Sequence, residues 1–391
     1  MNVKPQQLEF LDWEFGVFFH FGIRTFYEGH TDWDMKEMPL EAFNPAQLDC
    51  EQWIKTIKEA GAKYAVLVCK HHDGFANWQS KYTEYSVKNT PWKNGKGDVV
   101  AEFTTACRKH GIKVGLYYSP AQFGSVKMNH DEYDDYFINQ ISELLTDYGR
   151  IDYLWFDGCG SEGHEYNKDR IIKAIRSMQP DILIFSMWDP DTMWCGNERG
   201  YCESPNFNFR DFEGETRFLP FECDCRIRDN WFYYDADKDT LKSVEELMGM
   251  YLYSVGRGAN LLLNIGPDRR GLLTDDDCTR IKEFGREIKK RFGTPAGESQ
   301  KLEDNSISVV FDDLKYISGF EITENPAAEN PVTCVEIYAS IHNNGEEIFL
   351  TSAKSVGHKL ILTIPKFNAK CFIAKFTCKG KPQIKSFKVF E

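Results

Sequence analysis

Between residues 50 and 190 the apolar positions of this chain switch repeatedly between two periods. Stretches with a helical repeat run from Glu51 to Ala60, with Trp53, Ile54 and Ile57 on one face, and from Asp98 to His110, with Val99, Phe103 and Cys107. Two more run from Tyr133 to Tyr148 and from Ile171 to Met178. Gly61, Gly111, Gly149 and Pro180 stop them, and a short, uniformly apolar run follows each stop. Such runs suit parallel strands buried on both faces, so the alternation predicts an α/β fold with a parallel sheet. Later strands are expected at 183–187, around 221–232 and at 259–265. With about seven strands visible, a (β/α)8-like barrel, irregular in its second half, is preferred to an open sheet. A helix from Asp275 to Phe292, capped by Thr274, closes this region.

After the linker Thr294-Pro-Ala-Gly297 the pattern changes to short alternating segments, among them 307–311, 333–337 and 359–364, separated by turn signals such as Asn343-Asn-Gly345. This predicts a small antiparallel β-sandwich. The expected division is therefore a catalytic barrel over 1–298 and a sandwich over 299–391. All nine tryptophans lie at or before Trp231, which favours a barrel-supporting role for the second domain over sugar binding through exposed indoles.

Candidate chemistry gathers where the apolar runs end. Ile151-Asp-Tyr-Leu-Trp-Phe-Asp-Gly158 finishes in a carboxylate, Asp157. His20 ends Gly16–Gly22, His71 and His72 end the run from Tyr64, and Tyr117 and Tyr118 end the run from Ile112. In a parallel barrel the C-terminal strand ends share one mouth, so these polar groups form a candidate site.

Composition narrows the partners. A net charge of −13 argues against nucleic acid, whose affinity depends on clustered Lys and Arg. No apolar run approaches the roughly 18 residues of a membrane span. The first residues, Met1–Leu8, lack the basic and apolar regions of a signal peptide, which predicts a cytoplasmic protein, or a periplasmic or secreted one if a leader was trimmed. The twelve cysteines show no Cys-x-x-Cys pair and read as free thiols. Strand alternation puts Cys223 and Cys225 on one face, in a structural role. No cofactor is expected, and nothing in the sequence signals an oligomeric state.

With these segments placed, the chain resembles the α-L-fucosidases of glycoside hydrolase family 29. The motifs that carry the resemblance are Gly16-Val-Phe-Phe-His-Phe-Gly22, Lys70-His-His-Asp-Gly-Phe75, Gly115-Leu-Tyr-Tyr-Ser119, Leu154-Trp-Phe-Asp-Gly158, Gly196-Asn-Glu-Arg-Gly200 and Ser254–Asn264 with Pro267-Asp-Arg-Arg-Gly271 after it. They stand in family order over roughly the first 290 residues. The resemblance implies exo-hydrolysis of terminal α-L-fucose, α-1,3 or α-1,4 linked, by a retaining double displacement. It makes Asp157 the nucleophile and Glu198 the acid/base. It also implies that His20, His71, His72, Tyr118, Trp33 and Trp155 hold the sugar hydroxyls and that Trp231 packs against the methyl group or ring.

Two positions depart from the subgroup with Gly-Asn-Glu. Asp32-Trp33 stands where a Glu-Trp pair is common, so Asp32 is expected to reach the sugar through water. Asp191-Thr-Met-Trp194 stands where Asp-x-Arg-Trp is common, so Met193 supplies no guanidinium. Two rival readings remain: a metal-dependent barrel hydrolase using His20, His71, His72 and Asp157, and a non-catalytic sugar-binding barrel. No metal is expected, because adjacent strand residues face opposite ways, so His71 and His72 could share an ion only if the strand breaks there, and no His-x-His pair exists.

Overall fold

The computed structural model describes residues 3–28, 34, 36–121, 128–161, 163–342 and 345–391. Helix α1 (Pro5–Trp13) leads into β1 (Phe15–Phe19). Then α2 (Cys50–Glu59), β2 (Tyr64–Lys70), α3 (Val99–His110), β3 (Lys113–Tyr118), α4 (His130–Thr146), β4 (Tyr153–Phe156), α5 (Lys168–Met178) and β5 (Leu183–Phe185) repeat one unit. Beyond β5 the repeat breaks. A two-residue β6 (Met193–Trp194) follows without a helix, and a separate antiparallel hairpin, β7 (Phe209–Phe212) and β8 (Glu215–Phe218), precedes β9 (Phe221–Arg226). Helix α6 (Val244–Ser254), β10 (Asn260–Asn264) and α7 (Asp275–Phe292) complete the region.

Eight of these strands form a nearly closed parallel barrel in the order β5-β4-β3-β2-β1-β10-β9-β6. Between its two ends, β5 and β6, a single parallel bridge joins Phe185 to Thr192. The irregular second half is as the hydrophobic pattern suggested. β6 carried no periodic signal, because two residues are too few to show one. The connection from β5 to β6 is tight: Ser186 and Trp188 sit in the left-handed region at φ 59° and 61°, each costing of order 1 kcal/mol for a residue with a Cβ.

The helices start where side-chain acceptors meet their first N–H groups. Asp98 accepts from Ala101 N, Asn129 from Glu132 N and Thr274 from Asp277 N. The strands then sort by alternation into two cores. Val17, Phe19, Leu67, Leu116, Leu154, Ile184, Leu261 and Leu263 pack outward against the helices. Phe18, Val66, Val68, Tyr117, Tyr153, Trp155, Phe185 and Leu262 fill the barrel interior. Helix α1, which the sequence reading did not mark, plugs the N-terminal end: Phe10 lies 5.3 Å from Tyr153 and Trp13 5.4 Å from Tyr64. The closed bottom leaves the opposite mouth as the place for a ligand.

The C-terminal region forms a seven-stranded antiparallel sheet with its own core of Phe320, Ile337, Phe372 and Val389. It comprises β11 (Gly297–Ser299), β12 (Leu302–Glu303), β13 (Ser306–Glu324), β14 (Cys334–Ser340), β15 (Ile348–Ala353), β16 (Lys359–Thr377) and β17 (Ile384–Phe390). Register shifts in the β13–β16 pairing break the two 19-residue strands into differently paired stretches. The expected turn residues Asn343 and Asn344 lie outside the described residues. The sheet seats on the barrel's outer layer: Ile361 N donates to Gly256 O at 2.9 Å, and Phe390 meets Phe292 of α7 at 5.5 Å.

Candidate active site

A cavity of about 460 Å³ opens at the C-terminal ends of the barrel strands, lined among others by His20, His71, His72, Tyr117, Trp155, Asp157, Trp194, Glu198, Asp224 and Trp231. That size is within the range of small-molecule sites. Its floor is a run of rings: His71 stacks on Tyr117 at 5.6 Å, Tyr117 on Trp155 at 5.4 Å, and Trp155 on Phe185 at 4.1 Å. Beneath them Glu222 accepts hydrogen bonds from the hydroxyls of Tyr64 (2.6 Å) and Tyr153 (3.2 Å) and from Trp155 Nε1 (2.8 Å). Burial pushes the Glu222 carboxyl up to about 7, against the pull of those three donors.

Asp157 follows the last residue of β4 and is gripped on both oxygens. Tyr117 donates to Oδ2 at 2.9 Å, the backbone N–H of Cys159 donates to Oδ1 at 2.9 Å, and His72 Nε2 lies 3.3 Å from Oδ2. Burial works against its charge, but His72 and these donors prevail and hold the carboxyl below its ordinary range. Burial also works against a charged His72. The Asp157 carboxylate, with Cys159 beside it, overrides it and carries the imidazole up to about 9, while Nδ1 is fixed by Ser119 Oγ at 2.7 Å. The two groups form an ion pair at neutral pH.

His20 differs. Its Nδ1 is 2.7 Å from Asn264 Oδ1, and burial drives it down to about 3, so it is a neutral imidazole. Trp231 covers it at 4.8 Å, held by the Asn264 Nδ2 donation to the Trp231 carbonyl at 2.7 Å. The guanidinium of Arg226 lies over the other ring system of this wall, 5.2 Å from Trp231.

Glu198 reaches the cavity from a loop. Gly196 turns that loop at φ 88°, a conformation that strains residues bearing a Cβ. Asn197 braces it, donating from Nδ2 to Tyr201 O and accepting from Arg199 N, both at 3.0 Å. The Glu198 side chain is 48 % exposed, and Arg226 Nη2 lies 4.0 Å from its Oε2.

Most residues expected at the site meet there: Asp157, Glu198, His20, His71, His72, Trp155 and Trp231 share one cavity. Asp32 and Trp33 lie outside the described residues. Tyr118 is a correction. It faces the helical layer, where its hydroxyl donates to Gln140 Oε1 at 2.6 Å, and Tyr117 takes its place at the cavity. The physical reason is register: Tyr117 pairs with Trp155 across β3 and β4, and paired residues share a face. Trp155 is corrected in kind, since its N–H is committed to Glu222 and it offers the cavity a ring face instead of a donor. His71 and His72 both reach the cavity because β2 ends at Lys70, so alternation no longer applies to them.

Asp224 and Arg226 of β9 and Trp194 of β6 were missed. The signal for the first two was present in β9, where Glu222-Cys-Asp-Cys-Arg226 alternates charged residues with cysteines. The buried Cys223 and Cys225 point outward on one face, as expected, and that sends the charges inward. All twelve cysteines are free; Cys159, beside Asp157, is the exposed one. Among the described residues no group of three or more His, Cys, Asp or Glu side chains is arranged to hold a metal ion, and no helix is long and apolar enough to cross a membrane.

A parallel barrel whose C-terminal mouth holds a gripped carboxylate, a second carboxyl on a loop and a wall of rings has the architecture of the barrel glycoside hydrolases. A family model described as alpha-L-fucosidase matches residues 1–291, and the chain belongs to that family, glycoside hydrolase family 29. It is 34 % identical over 325 residues to Alpha-L-fucosidase 1 of Arabidopsis thaliana, covering 76 % of this chain and 63 % of that protein, so it spans less than two thirds of that relative's length. Among solved structures, a glycoside hydrolase 29 family member from an unknown rumen bacterium superposes with a TM-score of 0.90 at 31 % identity, over 99 % of this chain and 77 % of that one. A Ruminococcus gnavus GH29 fucosidase in complex with fucose gives 0.89 at 26 % identity, over 100 % and 94 %.

Proposed function

We propose that this chain is an exo-acting, retaining α-L-fucosidase that releases terminal α-L-fucose from glycans, with α-1,3 and α-1,4 linkages as its preferred targets. The observation that carries this reading is the state of Asp157, a carboxylate kept ionised by His72, Tyr117 and Cys159 N on the wall of a cavity that also holds Glu198. An ionised carboxylate in that position is a nucleophile for an anomeric carbon. Its attack forms a fucosyl ester as the glycosidic C–O bond breaks and Glu198 gives its proton to the departing oxygen. Glu198 then takes a proton from water, whose oxygen displaces Asp157 and restores the original configuration. The neutral His20 gives its Nδ1–H to Asn264 Oδ1, which leaves Nε2 as an acceptor for a sugar hydroxyl, and Trp231 offers an apolar face to the methyl group. The twelve unpaired cysteines support a reducing, cytoplasmic location.

Asp157→Gly tests the nucleophile. Turnover of an aryl fucoside should fall by about 10⁴ or more, and azide should restore part of it while yielding the inverted β-fucosyl azide. Near-normal turnover would refute the assignment. Glu198→Ala tests the acid: a large loss is expected on fucosyl oligosaccharides and a smaller one on an aryl fucoside, whose leaving group needs little protonation. The natural linkage follows from fucose release across defined α-1,2, α-1,3, α-1,4 and α-1,6 oligosaccharides.

A further inference from the structure

Asp224 has no part in the chemistry just described, yet it is built into the same wall. It sits mid-strand on β9, 4 % exposed, and lines the cavity between Glu222 and Arg226. Its Oδ1 accepts from Trp194 Nε1 at 2.8 Å. The loop that carries Glu198 is stapled to the same strand at both of its ends, Cys195 N donating to Glu222 O at 3.0 Å and Gly200 N to Asp224 O at 3.2 Å. Glu198 therefore hangs from the backbone of β9 and lines the same cavity as the Asp224 side chain, where its charge acts on the Asp224 carboxyl.

We propose that Asp224 is a positioning residue that forms a carboxyl pair with Glu198 holding a single proton on the leaving-group side of the cavity, with Trp194 fixing the Asp224 member of the pair. The inference rests on the reading of Glu198 as the acid.

Two like-charged acids in one confined space cannot both ionise readily, so the last proton leaves the pair at a higher pH than it would leave either acid alone. Glu198 is half exposed and has Arg226 Nη2 4.0 Å from its Oε2, and a nearby cation favours the ionised form of a carboxyl. Asp224 supplies the opposing influence from a buried position on the cavity wall. Burial, with added repulsion from Glu198 and Glu222, lifts Asp224 to about 8 in spite of the Trp194 hydrogen bond.

The described groups around the pair come from several elements, with His71 also on the cavity wall. Arg226 and Glu222 lie on its own strand, Asn260, Leu262 and Asn264 of β10 carry no charge, and His20, from β1, is neutral. Across the cavity His72 and Asp157 compensate each other.

The test is the pH profile of kcat/KM on a fucosyl oligosaccharide, whose basic limb reports loss of the acid's proton in the free enzyme. Asp224→Asn keeps an acceptor for Trp194 Nε1 and removes the second acid, so the basic limb should move down by about one pH unit. Trp194→Phe deletes the hydrogen bond that favours ionised Asp224, so the limb should move up. A merely structural disturbance would not displace the limb in opposite directions in the two variants. If the limb stays within 0.2 units in Asp224→Asn while Glu198→Ala keeps its larger loss on oligosaccharides than on aryl fucosides, the pair is refuted and the reading of Glu198 stands. If Asp224→Asn shows that leaving-group split and Glu198→Ala does not, Asp224 is itself the acid and both statements fall.

Discussion

The two sides of the cavity are built on opposite principles. Asp157 extends a barrel strand and is held by three protein groups in fixed directions. Glu198 stands on a loop between a two-residue strand and a hairpin, half exposed, with a guanidinium at 4.0 Å. A nucleophile profits from rigidity, because a misplacement of about 1 Å can cost 10²-fold in rate. An acid/base that must serve a departing sugar and then a water gains from sitting where leaving groups come and go. The regular half of the barrel therefore holds the nucleophile, and the irregular half holds the residue that meets variable chemistry.

Breaking the rigid side should cost most. In His72→Gln the ion pair is lost, and the burial that opposes the Asp157 charge is no longer answered by a cation. The carboxyl then holds its proton to higher pH. We expect kcat/KM to fall by about 10² and its acidic limb to move upward. An unchanged acidic limb would show that Tyr117 and Cys159 N suffice to keep Asp157 ionised.

A finer test separates neighbours on one strand. Tyr117→Phe removes a donor from the Asp157 carboxylate and should lower kcat/KM by about tenfold, in line with a hydrogen bond to a charged group worth roughly 1.5 kcal/mol. Tyr118→Phe should leave the kinetics within about twofold and lower thermal stability instead. It strands the buried Gln140 Oε1, at a cost of about 1–3 kcal/mol. Equal kinetic losses in both variants would contradict the orientation of β3.

The same strand shows what could be read from residues alone. Strand ends and their order were legible, because uniform apolar runs closing in His, His-His, Tyr-Tyr and Asp mark one mouth of a parallel barrel. Which tyrosine faces inward was not, since alternation gives two answers until a neighbour sets the register, and Trp155 sets it only once β3 and β4 are paired. Helix α1 escaped because its buried Gln7, Phe10, Leu11 and Trp13 cover a short nine-residue element. The charges of β9 escaped because a strand buried on both faces is expected to be apolar. This one hides Glu222 and Asp224 in a barrel whose tyrosines and tryptophans offer them hydrogen bonds.

The smallest expected effect concerns stability. His72 is raised in the fold to about 9 from an ordinary value near 6.5. A cation favoured by folding contributes fully below the unfolded value and loses that contribution as pH rises through the folded one. Asp157 is depressed, so its share is present above the ordinary carboxylate range and disappears only in acid. The pair therefore stabilises most between these limits, and its share should decline between about pH 6.5 and 9. Glu222, raised to about 7, adds a loss of the same sign over the lower part of that window. Melting temperature followed by calorimetry should drop on going from pH 6.5 to 9, and His72→Gln should flatten part of that slope, by roughly 1 kcal/mol per pH unit. A slope identical in the variant would assign the alkaline loss to Glu222 and Asp224, the buried acids of β9, and would leave the nucleophile's ion pair without a role in holding the barrel mouth together.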